Sequence, residues 1–168
     1  MTQIVRTGMG SAPLKHILDN LRPLDRQEMF ATRSHNDTGR VCQEIMFFCE
    51  MTGTIFWHDQ EPVAVMGYLV TWPGVASVWA YGTPKWPTVF KSVTRTIIRE
   101  TIPGLLKQRV HRAEARTLHG RNETGRWLLS LGAQHEALLF EYGRNRETFA
   151  VYAWSDHDVD GTRASAAH

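Results

Sequence analysis

"EPVAVMGYLVTWPGVASVWAYGTPKWPTVFKSVTRTIIRETI", residues 61–102, changes its period partway along. Residues 62–72 and 75–82 are rich in β-branched and aromatic types, and Pro73-Gly74 between them is a turn signal. That half reads as two adjacent strands. Beyond residue 87, Val89, Phe90, Val93, Ile97 and Ile98 form one apolar stripe at helical spacing, which predicts a helix over 87–102. Pro103-Gly104 kinks or interrupts it before 105–109 finish it. The loop "GTPKWPT" (82–88) joins strand to helix.

The reading extends outward from there. Residues 54–59 form a β-rich run joined to 62–72 by a hairpin at "DQE", which makes an antiparallel meander of three strands. Upstream, 3–6 reads as a short strand. Residues 12–22 read as a helix, with Leu14, Ile17, Leu18 and Leu21 at helical spacing and Pro13 suited to its first turn. Pro23 breaks it, and 24–32 form another short helix. Asp37 or Thr38 caps a buried helix over 40–51 that carries Val41, Ile45 and Phe48 beside Cys42 and Cys49. Downstream lie a strand at 111–117, a helix at 122–132 stopped by Gly132, and a final hairpin of 134–143 and 148–154. The polar stretch 155–168 is expected to be a flexible tail. The fold class is therefore α/β: a single domain over 1–154, with a mixed, mostly antiparallel central sheet and helices on both faces.

Composition narrows the function classes. The chain has 168 residues and a formal net charge of +2, so overall charge points to no nucleic-acid or membrane partner. No apolar run approaches the ~20 residues of a membrane span, and the N-terminus lacks a secretory signal. Two cysteines seven positions apart, with no CxxC, read as buried hydrophobes. No histidine pair has the H-x₃-H spacing, so no metal is expected. No G-x-S-x-G elbow surrounds a serine.

Three groups of residues carry chemistry. Glu114 alternates with Arg112 and Arg116, so all three share a strand face; it is either a salt-bridged surface acid or a general base. His119, after the same strand, and His111 at its start are loop histidines or bases. Lys91, Arg95 and Arg99 recur at i, i+4, i+8 as a basic ridge opposite the apolar stripe, unrelieved by an i+4 acid. That ridge is either a solvated helix face or a contact for an acidic surface. Trp72 and Trp86, of six tryptophans, flank turns; they are either partly exposed interface anchors or caps on the open end of the sheet.

The order of elements resembles the GNAT acetyltransferase superfamily. "RNETGRWLLSLGAQHE" (121–136) looks like that family's second motif: an Asn, a helix ending in aromatic-Leu-x-x-x-x-Gly, then a strand. The hairpin 61–82 looks like the strands before the family's cofactor loop, and the likeness covers about residues 40–154. A narrower likeness rests on "EPVAVMGY", "FKSVTRTIIRE" and "GRNETGRWLLSLGAQHE". It is to small GNAT-fold proteins of short-tailed phages, which are internal virion or head-assembly proteins. That likeness implies an assembly role without catalysis. It also implies partners among other virion or assembly proteins, and a place in the phage virion or host cytoplasm. A homo-oligomer and contact with DNA stay open.

The family resemblance also implies a test. In GNAT enzymes a loop of type Gln/Arg-x-x-Gly-x-Gly/Ala turns successive amide N–H groups toward the pyrophosphate of acetyl-CoA at a helix N-terminus. Here Gly82 is the only glycine, Pro84 and Pro87 lack an N–H, and Trp86 adds bulk. Losing two charge-assisted donors costs roughly 1.5–3 kcal/mol each. Lys85 and Lys91 return on the order of 1 kcal/mol or less as exposed charges. No cofactor is therefore expected; if acetyl-CoA were held, Trp79, Gly82, Lys85, Thr88 and Asn122 would touch it. Aligned on Gly132, the family's Asn falls on Arg121 and its general-acid Tyr on Leu128 or Leu129, and leucine donates no proton. The alternative is an acyl-CoA-dependent N-acyltransferase with a degenerate loop, in which Glu114 or His119 takes the proton from the attacking amine.

Overall fold

The structure, a computed structural model, describes residues 3–155; the rest of the expected tail lies outside them, and Ser155 itself ends the last strand. The element order is β1 (Ile4–Gly8), α1 (Ser11–Asp19), α2 (Pro23–Ala31), α3 (Thr38–Cys49), β2 (Thr54–His58), β3 (Glu61–Trp72) and β4 (Val75–Gly82). It continues with α4 (Trp86–Thr96), a π-helical turn (Ile97–Thr101), α5 (Ile102–Lys107), β5 (Arg112–Leu118), α6 (Asn122–Ser130), β6 (Gln134–Leu139) and β7 (Phe149–Ser155). One seven-stranded sheet runs β1-β2-β3-β4-β5-β7-β6. Every neighbouring pair is antiparallel except β4 and β5, which are parallel.

Local chemistry explains most of these elements. Asp59 and Gln60 both take positive φ, as a two-residue hairpin loop of the primed type requires. Pro73-Gly74 makes the second turn, with Gly74 at φ +86°. The Gly74 carbonyl accepts the His111 and Arg112 amides, which tie the turn to the start of β5. Asp37 caps α3 by accepting from the Gly39 and Arg40 amides. Pro23 does not merely end α1: it occupies the first turn of α2, where its missing N–H goes unneeded. The helix expected to kink or be interrupted at Pro103-Gly104 is interrupted: it widens into the π turn just before Pro103 and resumes as α5.

Both faces of the sheet are covered. Leu14, Ile17 and Leu18 of α1 and Val41 and Ile45 of α3 pack with Ile55 and Val65 on one face. Val89 and Val93 of α4 pack with Phe56, Ala64 and Met66 on the other. The feature that shapes the site is a splay. β3 follows β4 to its last residue, Ala64 opposite Gly82. The parallel ladder between β4 and β5 stops at Ser77 and Glu114, while β5 stays paired with β7 to Leu118. Residues 78–82 are therefore left with one edge facing a wedge that widens toward the carboxyl ends of β4 and β5.

Candidate functional site

On the side of α4 and α6 the wedge holds a small apolar chamber of about 90 Å³, lined by residues such as Trp79, Tyr81, Ala115, Leu128 and Trp154. It adjoins an outer groove of about 890 Å³ between the starts of α4 and α6, lined by Arg22, Pro84, Trp86, Phe90, Arg121 and Asn122 among others. Glu28, Ala80, Thr124 and Trp127 line both. On the opposite face a cleft of about 350 Å³ is rimmed by Phe48 and Tyr142 and floored by Trp79 and Tyr81. The expected cofactor contacts Trp79 and Asn122 do reach these spaces.

The loop between β4 and α4 offers nothing to an anion. A helix leaves its first N–H groups without intrahelical partners, which is why phosphates settle there. Around this helix start every such group is absent or engaged. Pro84 and Pro87 have none. The Gly82 amide donates to Asp25 Oδ2 at 2.9 Å, and the Thr83 amide to the Val63 carbonyl at 2.9 Å. The Lys85 amide donates to Thr83 Oγ1 at 3.3 Å. The Trp86 and Thr88 amides donate at 2.9 Å to the Thr83 and Lys85 carbonyls. The side chains are occupied as well: Lys85 pairs with Glu61, and the Thr88 hydroxyl donates to the Lys85 carbonyl at 2.8 Å.

Trp86 corrects an expectation. It is 7% exposed, not partly open as its place beside a turn suggests. Its ring lies so close over Gly82 that a Cβ there would come within 2.5 Å of Trp86 Cε3. It meets Trp127 edge-on, with ring centroids 5.7 Å apart, and the Arg22 guanidinium caps it at 4.4 Å from the ring centroid. The indole thus fills the space that a glycine-rich loop would leave open.

An ion-pair network spans the wide end of the wedge. Asp25, 1% exposed, receives Arg22 Nε and Nη2 at 2.9 and 2.7 Å, the Gly82 amide, and Arg121 Nη2 at 2.7 Å. Arg121 Nη1 donates to Glu28 Oε2 at 2.8 Å, and that oxygen also accepts the Thr117 hydroxyl and the Leu118 amide. Burial alone would lower the Arg121 pKa; the Glu28 and Asp25 carboxylates outweigh it and raise it, so the guanidinium stays charged. One network therefore ties α2 to the ends of β4 and β5 and to the start of α6. Sequence reasoning missed Arg22, Asp25 and Glu28. The available signal was Asp25 itself, an acid four residues before Met29 and so on the apolar stripe of its helix.

The proposed bases lie away from the chamber. Ala113, Ala115 and Thr117 of β5 line it, and Glu114 does not. Arg112 and Arg116 hold the two Glu114 oxygens, and Arg112 also pairs with Glu136 at 2.6 Å. His119 is exposed beyond the end of β5, its amide donating to the Thr148 carbonyl at 2.9 Å. Of the titratable residues that line the chamber, Glu28, Tyr81 and Arg116, Tyr81 has a phenol that burial, reinforced by Glu28 and Asp25, pushes up to about 12. It is neutral near pH 7. Of the interface candidates, Trp72 is 59% exposed at the tip of the β3–β4 hairpin, and Lys91, Arg95 and Arg99 are exposed on α4 and the π turn. Among the described residues no group of His, Cys, Asp and Glu is arranged to hold a metal ion, and no helix is long and apolar enough to cross a membrane.

No known family's profile matches this chain, and no curated protein sequence matches it. Solved structures do match it. A ribosomal-protein-alanine N-acetyltransferase from Brucella melitensis superposes with a TM-score of 0.69 over 90% of this chain and 99% of its own, at 13% identity. A GNAT-family acetyltransferase from Bacillus anthracis gives 0.64 over 92% and 95%, at 10% identity. At these identities the likeness is one of fold. The chain has the GNAT acetyltransferase fold, and the α/β architecture expected from the sequence is borne out.

Proposed function

We propose that this chain is a GNAT-fold protein that does not use acyl-CoA and works through its outer surfaces as an assembly component. One observation carries the first part: across 82–88 no backbone N–H is free to meet a pyrophosphate, because two residues are proline and the other five amides are engaged within the chain. Rearranging such a loop means breaking the Gly82–Asp25 bond and uncovering a buried carboxylate. The finer reading, a virion or head-assembly protein of a short-tailed phage with other assembly proteins as partners, rests on the sequence likeness described above. The second reading is an acyl-CoA-dependent N-acyltransferase with a reshaped cofactor loop, and it is favoured by the persistence of the wedge and its 890 Å³ groove.

Melting the protein in millimolar acetyl-CoA separates the two. A ligand at a hundred times its dissociation constant stabilises by about 2.7 kcal/mol, roughly 5–10 °C for a chain of this size. We expect no shift; a shift of several degrees overturns the proposal in favour of the enzyme. Mass spectrometry of purified particles tests the assembly role, and absence of the chain from them would refute the virion assignment.

A further inference from the structure

The helices on the two faces of the sheet carry opposite charge balances. Residues 11–50, which hold α1, α2 and α3, contain five Lys and Arg against six Asp and Glu, and Lys15, Arg22 and Arg33 are already ion-paired. The other layer differs. α4, the π turn, α5 and α6 form one continuous cover. Ile97 and Trp127 pack in the clusters beneath both α4 and α6, and Val78 and Trp154 in those beneath both α5 and α6. Outward, this cover carries Lys91, Arg95, Arg99, Lys107, Arg109 and Arg126, all exposed, and none forms an ion pair with any described residue. Its acids are Glu100 and Glu123, and Glu100 is taken by Arg6 of β1 at 2.5 Å.

We infer that this cover binds the phosphate backbone of duplex nucleic acid without reading its sequence. The inference rests on the reading that the outer surface, not the wedge, does the protein's work, and it assigns that surface a partner class. Three features select the partner. First, Lys91 and Arg95 stand one turn apart and Arg99 follows, a ridge about 12 Å long. A duplex presents one charge per about 1.7 Å of axis, so on the order of seven phosphates lie beside the ridge. Second, the large apolar residues exposed here are three, Ile98, Leu106 and Leu129, separated along the chain by Arg99, Lys107, Arg109 and Arg126. A protein partner would call for an apolar or aromatic centre depleted of lysine. Third, the large aromatics that are exposed, Phe47, Phe48, Trp72, Phe140 and Tyr142, lie on none of α4, α5 or α6. The cover therefore lacks the stacking platform that unpaired bases need, which leaves the duplex backbone as its partner.

The test uses the full chain and a short random-sequence DNA duplex, with binding followed between about 50 and 200 mM KCl. Six phosphate contacts give a slope of log affinity on log salt of about −5. Changing Lys91→Gln, Arg95→Gln and Arg99→Gln together should weaken that slope by about 3, equally for duplexes of different sequence, with the melting midpoint unchanged. The pair Lys15→Gln and Arg40→Gln, on the opposite layer, should leave slope and affinity as they were. No binding at the lowest salt, or an unchanged slope in the triple variant, overturns the inference. So does tighter binding of single strands than of duplex, or displacement of the duplex by polyglutamate at equal charge concentration, which would mark a surface for acidic proteins. A melting shift with acetyl-CoA would sink the reading of the preceding section and leave these outcomes readable on their own.

Discussion

Asp25 accepts the backbone amide of Gly82 at 2.9 Å, so a carboxylate of this chain engages the last amide of β4. Asp25 is 1% exposed and two arginines converge on it, so the internal anion is neutralised and held in place.

Removing that carboxylate should be costly. Asp25→Ala leaves Arg22, Arg121 and the Gly82 amide without their acceptor, and breaking a buried pair from one side destabilises by about 3–5 kcal/mol. Urea unfolding measures this. The double variant with Arg121→Ala should lose less than the two single changes added together, with a coupling of about 0.5–3 kcal/mol. Strict additivity would show that the two side chains do not act as a unit.

Gly82→Ala tests the stopper. The added Cβ would sit 2.5 Å from Trp86 Cε3 and 3.3 Å from the Val63 carbonyl oxygen, so the indole must shift. A loss of about 1–3 kcal/mol is expected from overpacking. Tryptophan fluorescence should change with it, because Trp86 leaves its edge-on contact with Trp127. Unchanged stability would mean that the indole is not wedged there.

Tyr81 sets an alkaline limit. Its folded pKa of about 12 lies above the ordinary value of 10, so the folded state keeps its proton while the unfolded chain loses it. The stability this contributes is fully present below pH 10 and is lost as pH rises through 12, in total about 2.7 kcal/mol for two pKa units. Tyr81→Phe should flatten stability over that window, and ultraviolet titration of the phenols should lose its latest step. An unaltered pH profile in the variant would contradict the assignment.

Glu114→Gln separates the two readings of that residue. As the acceptor for both Arg112 and Arg116 it should lower stability by about 1–3 kcal/mol, while Glu114→Asp recovers part of the loss. A melting midpoint unchanged by either variant would remove the structural role and return Glu114 to candidacy as a base.

Much of this protein is legible in its sequence because the deciding interactions are local. The shift from strand to helical period between 82 and 87, the positive φ at Gly74 and Gly132, and the Asp37 cap each depend on residues within a few positions of one another. Together with the apolar stripes they specify the helices and strands and a sheet covered on both faces. The prolines at 84 and 87 likewise announce a loop poor in donors, since a missing N–H is a covalent fact.

Contacts between distant segments decided the rest. The sequence places Trp86 beside a turn, but only the approach of Trp127 and Arg22 from two other segments buries it. Strand alternation tells that Arg112, Glu114 and Arg116 share a face, but only the packed sheet shows that Glu114 stays out of the chamber's lining. Nothing in the spacing of Arg22, Asp25, Glu28 and Arg121 predicts that they meet, because the last lies more than ninety residues from the others. Periodicity reports which way a side chain faces from its own backbone. What stands opposite it is set by how the elements pack, and that packing put the chain's own charges at the wide end of the wedge.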